Sequence, residues 1–142
     1  MENILSAKNI SKSFEGTKVL KEINLSINQG EIISISGPSG AGKTTLLNIL
    51  GTIETPDDNN DSKLMIFERD IFGLNDKELS NFRNKNIGFV FQFHELLPEF
   101  TCLENVCLPA WIGKNSNIKE RAISLFKELG LIDKLDKKPA TL

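Results

Sequence analysis

The sequence predicts an α/β fold with a largely parallel central sheet, and three observations carry the prediction. Short apolar runs of strand length alternate with helical patterns along the chain. One run, EIISIS at residues 31–36, leads straight into a glycine-rich loop and then a helical pattern. That run is rich in isoleucine, as a strand covered on both faces is.

In chain order, residues 4–10 and 18–27 read as strands. Within EINLSIN, Ile23, Leu25 and Ile27 alternate with polar residues, the period of a half-covered strand. Asn28-Gln29-Gly30 reads as a turn, 31–36 as a buried strand, and KTTLLNIL as a helix ending near Gly51. Residues 56–62 form a polar loop and KLMIFE, 63–68, a further strand. Asp76 to Asn84 is a short polar helix with Asp76 placed to cap it. IGFVFQ, 87–92, is a third apolar strand, followed by a loop and a short helix around Thr101 to Val106. The strongest helical pattern is Asn117 to Leu129, with Ile118, Ala122, Leu125, Phe126 and Leu129 on one face. Asn117 and Glu120 have capping-box spacing there, and Gly130 marks the stop.

A length of 142 residues fits one domain with a real core. The net charge of −2 carries no basic footprint, so no nucleic-acid partner is expected. The first residues lack a secretory signal's apolar stretch, so the chain is expected in the cytoplasm. Cys102 and Cys107 are then reduced thiols, read as small buried hydrophobes.

The stretch Gly37-Pro38-Ser39-Gly40-Ala41-Gly42-Lys43-Thr44 fits the phosphate-loop pattern G-x-x-x-x-G-K-[ST] in full, and Thr45 continues it into the helix. Glycines let the backbone turn so that successive N–H groups face phosphate oxygens. The helix start adds the positive end of its dipole. Lys43 supplies an ammonium for the outer phosphates and Thr44 a hydroxyl for Mg²⁺. The residues therefore predict binding of a nucleoside triphosphate with Mg²⁺. Two other patterns are weaker. Glu68 ends an apolar run but stands too near the loop to be a good acidic Mg²⁺ partner. Asp57, Asn59, Asp61 and Glu68 match some calcium-loop positions, but Ser62 stands where glycine is needed and flanking helices are lacking.

Taken with ISKSF at 10–14, the segments GPSGAGKTTLLNIL and IGFVFQFHELLPEFTCLENVCLPAWIG resemble an ABC transporter ATPase, over the whole length from Met1 to Leu142. The resemblance implies a P-loop NTPase fold of the ABC-ATPase type, with a mixed β-sheet core and the start of a helical subdomain. It also implies ATP and Mg²⁺ as ligands, Phe14 as the aromatic stacked on adenine, and Lys43 at the phosphates. It implies that Gln92 is the glutamine that reaches Mg²⁺ and the attacking water and links to membrane subunits, with Lys43 and Gln92 as the catalytic pair. It further implies a head-to-tail pair of ATPase copies and a permease docked near Gln92 and residues 93–106, on the cytoplasmic side of a bacterial inner membrane. Within the family, QFHELLPEFTCLENV is most similar to the lipoprotein-releasing branch, with macrolide or cell-division exporters as the alternative. His94 does not match the family's switch histidine and reads as a permease-facing surface residue.

By the same resemblance residues 1–142 are the N-terminal part of one nucleotide-binding domain, stopping at Leu142 where the motif L-S-G-G-[QE] would begin. The expectation is that this chain alone binds nucleotide at best, and that Ile33, Ile35 and Val90 lack neighbours. Two rivals stay open. A small-metabolite kinase would need an arginine-rich lid, yet Arg69, Arg83 and Arg121 are scattered. A non-catalytic module docking on a membrane partner would not depend on Lys43.

Overall fold

A computed structural model describes residues 2–57, 61–93 and 95–142. Asn59 of the calcium-like pattern, most of the 56–62 loop's middle and His94 lie outside the described residues. The chain forms two compact units, Met1–Arg83 and Asn84–Leu142.

The first unit is built on a long hairpin of β1 (Asn3–Phe14) and β2 (Thr17–Asn28). Glu15 and Gly16 both have positive φ (48° and 80°), the two-residue turn that matches strand twist. This explains why both strands run further than their apolar patterns: Phe14 pairs with Thr17 directly across the turn. On its other side β1 pairs with β3 (Lys63–Ile66), which turns back into β4 (Arg69–Asp70). The order is β2-β1-β3-β4 and every pairing among the described residues is antiparallel.

This corrects the expectation of a largely parallel sheet. A parallel arrangement needed 31–36 and 87–92 as strands, and neither segment is in a ladder. Ile32 is 98% exposed and Val90 fully exposed, while Ile33 is exposed and Ile35 half-buried. An apolar run predicts a covered strand only where neighbours exist to cover it. The strand expected over 63–68 ends at Ile66, because Phe67 and Glu68 (φ 47° and 61°) form the turn to β4.

Helix α1 (Lys43–Leu50) lies against this hairpin, burying Leu46, Ile49 and Leu50 with Ala7, Ile10 and Leu20. Helix α2 spans Asp76–Asn86. Its cap is Asn75, one residue before the expected Asp76: Asn75 Oδ1 accepts from the Glu78 N–H (3.0 Å) and Glu78 Oε2 accepts from the Asn75 N–H (3.1 Å). The reciprocal pair satisfies two amides, which a lone Asp76 carboxylate would not.

The second unit pairs α3 (Cys102–Ile112) with α4 (Lys119–Glu128), and buries Cys102, Cys107, Ala122 and Phe126. Both cysteines are free and buried, as expected. Helix α3 extends past Val106 and through Pro109 to Ile112. The capping box expected at Asn117 and Glu120 does not form. Asn115 Oδ1 takes the Asn117 N–H first, which winds Ser116–Ile118 as a tight 3-10 turn, and α4 starts at Lys119 with no side-chain cap. Gly130 does stop the helix, with φ 70° and its N–H on Lys127 O. Leu129, placed on the apolar face, is 71% exposed.

Candidate nucleotide-binding site

The glycine loop sits between the unpaired 31–36 segment and α1. Gly42 is the N-cap of α1 with φ 84° and ψ 11°. A Cβ there would lie 2.8 Å from Val19 Cγ1 and 2.9 Å from Leu20 Cδ2, so β2 leaves room for glycine alone. No side chain caps α1 and no acidic residue occupies its first turn. The first amides of a helix lack intrahelical partners, so those of Lys43, Thr44 and Thr45 keep the positive end of the helix without an internal anion to neutralise it.

Lys43 folds back over the loop, donating from Nζ to Gly37 O (2.9 Å) and Pro38 O (2.7 Å). Its charge is therefore held above backbone turned by Ser39 and Gly40, with the Ala41 N–H on Pro38 O at 3.3 Å. Gly37 to Ala41 and Thr44 are exposed. An ammonium, uncapped amides and an exposed hydroxyl suit a phosphate chain with a divalent cation.

Phe14 ends β1 and is 45% exposed, so it is not a core residue. Lys12 Nζ stands 5.3 Å from its ring centroid. Three residues after its pairing partner Thr17, on the same strand, Leu20 joins Val19 in walling Gly42. The hairpin end and the loop thus belong to one unit. Two carboxylates that follow α1 are engaged elsewhere. Glu54 is held below the usual carboxylate range by hydrogen bonds from Lys12 and the Thr55 N–H, and Asp57 by hydrogen bonds from Ser13. Glu68 lies in the β3–β4 turn, not at a strand end.

Gln92 belongs to the second unit, where it is exposed in a bend just after the stacked rings of Phe89 and Phe91 (centroids 5.3 Å apart). The loop from there to α3 is fastened by a residue the sequence reading did not single out. Asn105 Nδ2 donates to Leu97 O (3.1 Å), Phe100 O (3.2 Å) and Thr101 O (3.0 Å), and its Oδ1 accepts from the Leu97 N–H (2.8 Å). An asparagine inside a helix, four residues after a threonine cap, is the signal that was available. Among the described residues no helix is long and apolar enough to cross a membrane.

Comparison with known proteins gives the family of the chain. The ABC transporter family profile matches residues 20–142. The lipoprotein-releasing system ATP-binding protein LolD of Bacteroides thetaiotaomicron is 51% identical over 141 residues, covering 98% of this chain and 63% of that protein. LolD of Aquifex aeolicus is 48% identical over 144 residues, covering all of this chain and 63% of that protein. Among solved structures, the ATP-binding cassette MJ0796 in a dimeric post-hydrolysis state bound to ADP and Pi superposes with a TM-score of 0.86 at 35% identity, covering 98% of this chain and 63% of that one. The chain therefore spans about 63% of the length of these relatives. With the profile, the identities and the superposition in agreement, this chain belongs to the ABC transporter family.

Proposed function

We propose that this chain is the ATP-binding part of a lipoprotein-releasing ABC system, and that its own residues carry nucleotide capture. The observation that supports this most is the uncapped start of α1 beside Gly42, with Lys43 folded over the loop. The lipoprotein cargo rests on the likeness to LolD proteins. The backbone from Gly37 to Thr45 holds the phosphates, Lys43 offsets their charge, and Thr44 offers its hydroxyl to Mg²⁺. Phe14 stacks on the adenine. Gln92 serves the Mg²⁺ ion, and the permease docks near Gln92 and the segment 93–106. When bound, Mg²⁺ supplies charge neutralisation between the outer phosphates. In the whole protein two copies meet head to tail at the inner membrane's cytoplasmic face, and ATP hydrolysis drives release.

The test is a titration of the purified chain with Mg-ATP, followed by fluorescence of a labelled nucleotide. Saturable binding is expected, with Lys43→Ala weakening it at least about tenfold, as loss of a charged hydrogen-bond donor does. Equal binding by Lys43→Ala, or none by the wild type at millimolar ligand, defeats the reading.

A further inference from the structure

The far end of α1 holds a residue in an unusual conformation. Gly51 is the C-cap, and the Thr52 N–H reaches Ile49 O (3.0 Å) while the Ile53 N–H reaches Asn48 O (2.8 Å). This is the paired-bond helix stop in which the residue after the cap is left-handed and usually glycine. Here it is a threonine at φ 65°, 5% exposed. A β-branched side chain in that region is a true outlier, kept only where its surroundings over-determine it.

The surroundings are Arg83, on α2. Its Nε donates to Thr52 Oγ1 (3.0 Å) and a terminal NH₂ donates to Thr52 O. Among the described residues no carboxylate stands within ion-pair distance of Arg83, so its fork is given to this one threonine. It also places a positive charge at the C-terminal end of α1, whose last turn holds no basic residue of its own. Helix α1 has eight residues, too few to stand without tertiary support. It is wedged by β2 at Gly42 and gripped by Arg83 at Thr52, so the grip at one end bears on the backbone at the other.

We propose that Arg83 is a positioning residue for the phosphate loop: by holding Thr52 left-handed it fixes the end of α1, and through that helix the Lys43 end where phosphate is bound. The proposal rests on the nucleotide-binding reading for its functional consequence, but the clamp has its own readout. Thr52 is the strained partner, so without Arg83 it leaves the left-handed region and the last turn of α1 unwinds. Glycine at position 52 would hold that conformation with no clamp.

The test uses the full chain at a temperature well below its melting point. It measures Mg-ATP affinity and hydrogen exchange at the Leu46 and Leu47 amides, at the loop end of the helix. Arg83→Gln is expected to weaken binding at least about fivefold, the equivalent of one buried hydrogen bond, and to speed exchange at Leu46 and Leu47. Thr52→Gly alone stays near wild type. The double variant Arg83→Gln/Thr52→Gly recovers most of the affinity and protection that Arg83→Gln loses, a rescue that a merely bracing arginine would not show. If Arg83→Gln loses its circular dichroism, Arg83→Lys, which keeps one donor, replaces it in the same cycle. Wild-type affinity and protection in the arginine variant overturn the proposal, and so does a double variant no better than that single one. If the wild type binds no ATP while protection at Leu46 and Leu47 follows the clamp, the nucleotide reading fails and the clamp stands.

Discussion

Helices α1 and α3 begin in opposite ways. At α3 every early amide is provided for. The Cys102 N–H bonds to Lys137 O (2.8 Å), the Leu103 N–H to Leu135 O (3.0 Å), and the Glu104 N–H to Thr101 Oγ1 (3.2 Å). Glu104 Oε2 closes the box by accepting from the Thr101 N–H (2.7 Å). At α1 the cap is a glycine with no side chain to offer, and the first turn carries no acid. Leaving helix-end amides unmet costs free energy unless water or a ligand meets them. One helix start is finished by the chain itself; the other is kept available, and the lysine that begins it lies over the opening. On the proposed reading, the difference separates a helix end that serves the structure from one left open to a ligand, within a single chain.

The most damaging way to break the contrast is to give Gly42 a side chain. Gly42→Val adds a β-branched residue at φ 84° and a Cβ within 2.8 Å of Val19. Strain and overpacking together should cost about 3 kcal/mol or more and abolish nucleotide binding. Gly40 is the control. It has φ 79° but no atom within 4 Å of a built Cβ, so Gly40→Ala meets only the conformational cost, about 1–2 kcal/mol. Urea melts of the two variants separate these terms, and equal losses would mean that the β2 wall is irrelevant.

How much of this contrast could be read from the residues follows from how local each feature is. The loop and α1 were legible because the pattern G-x-x-x-x-G-K-T encodes its own geometry within eight positions. The two strands of the β1–β2 hairpin were legible, β2 from its alternation, but their pairing across Glu15 and Gly16 was not. One expected cap moved by a residue to Asn75 and the other was lost, because Asn75 and Asn115 compete with the neighbours that composition favoured, and only geometry decides between them. The carbonyls of Leu135 and Lys137 that cap α3 were not legible, since any residue has a carbonyl and no side-chain type marks a main-chain partner. Thr52 was invisible for a related reason: its conformation depends on Arg83, far along the chain. The segment 31–36 was misjudged because hydrophobicity reports what a strand would bury, not whether a neighbour is present.

A milder break acts on the closed end. Thr101→Ala removes the oxygen that caps Glu104 and should cost about 1 kcal/mol. Thr101→Ser should restore most of it. Because α3 belongs to the second unit and serves no phosphate in this reading, Mg-ATP affinity should stay at the wild-type value in both variants. Calorimetric melts paired with nucleotide titrations check this. A fall in affinity with Thr101→Ala would erase the distinction between the two helix ends.

The finest test uses the one carboxylate in the comparison. Hydrogen bonds from the Thr101 backbone and hydroxyl hold the Glu104 carboxyl below its ordinary 4.5. Between that lowered value and 4.5 the unfolded chain binds more protons than the folded one, so Glu104's contribution is full above 4.5 and is lost as pH falls through the lowered value. Glutamine keeps an acceptor for the Thr101 N–H but does not titrate. The difference in urea midpoint between the wild type and Glu104→Gln should therefore be greatest near neutral pH, shrink below about pH 5 and level off in acid. Glu54, Asp57 and Asp133, also lowered by their hydrogen bonds, titrate in both proteins and cancel from the difference. Helix α1, with no acid in its first turn, has no counterpart to this limb. A midpoint difference that stays constant with pH would mean the box at Thr101 is not formed in solution, and that α3 is closed by the carbonyls of Leu135 and Lys137 alone.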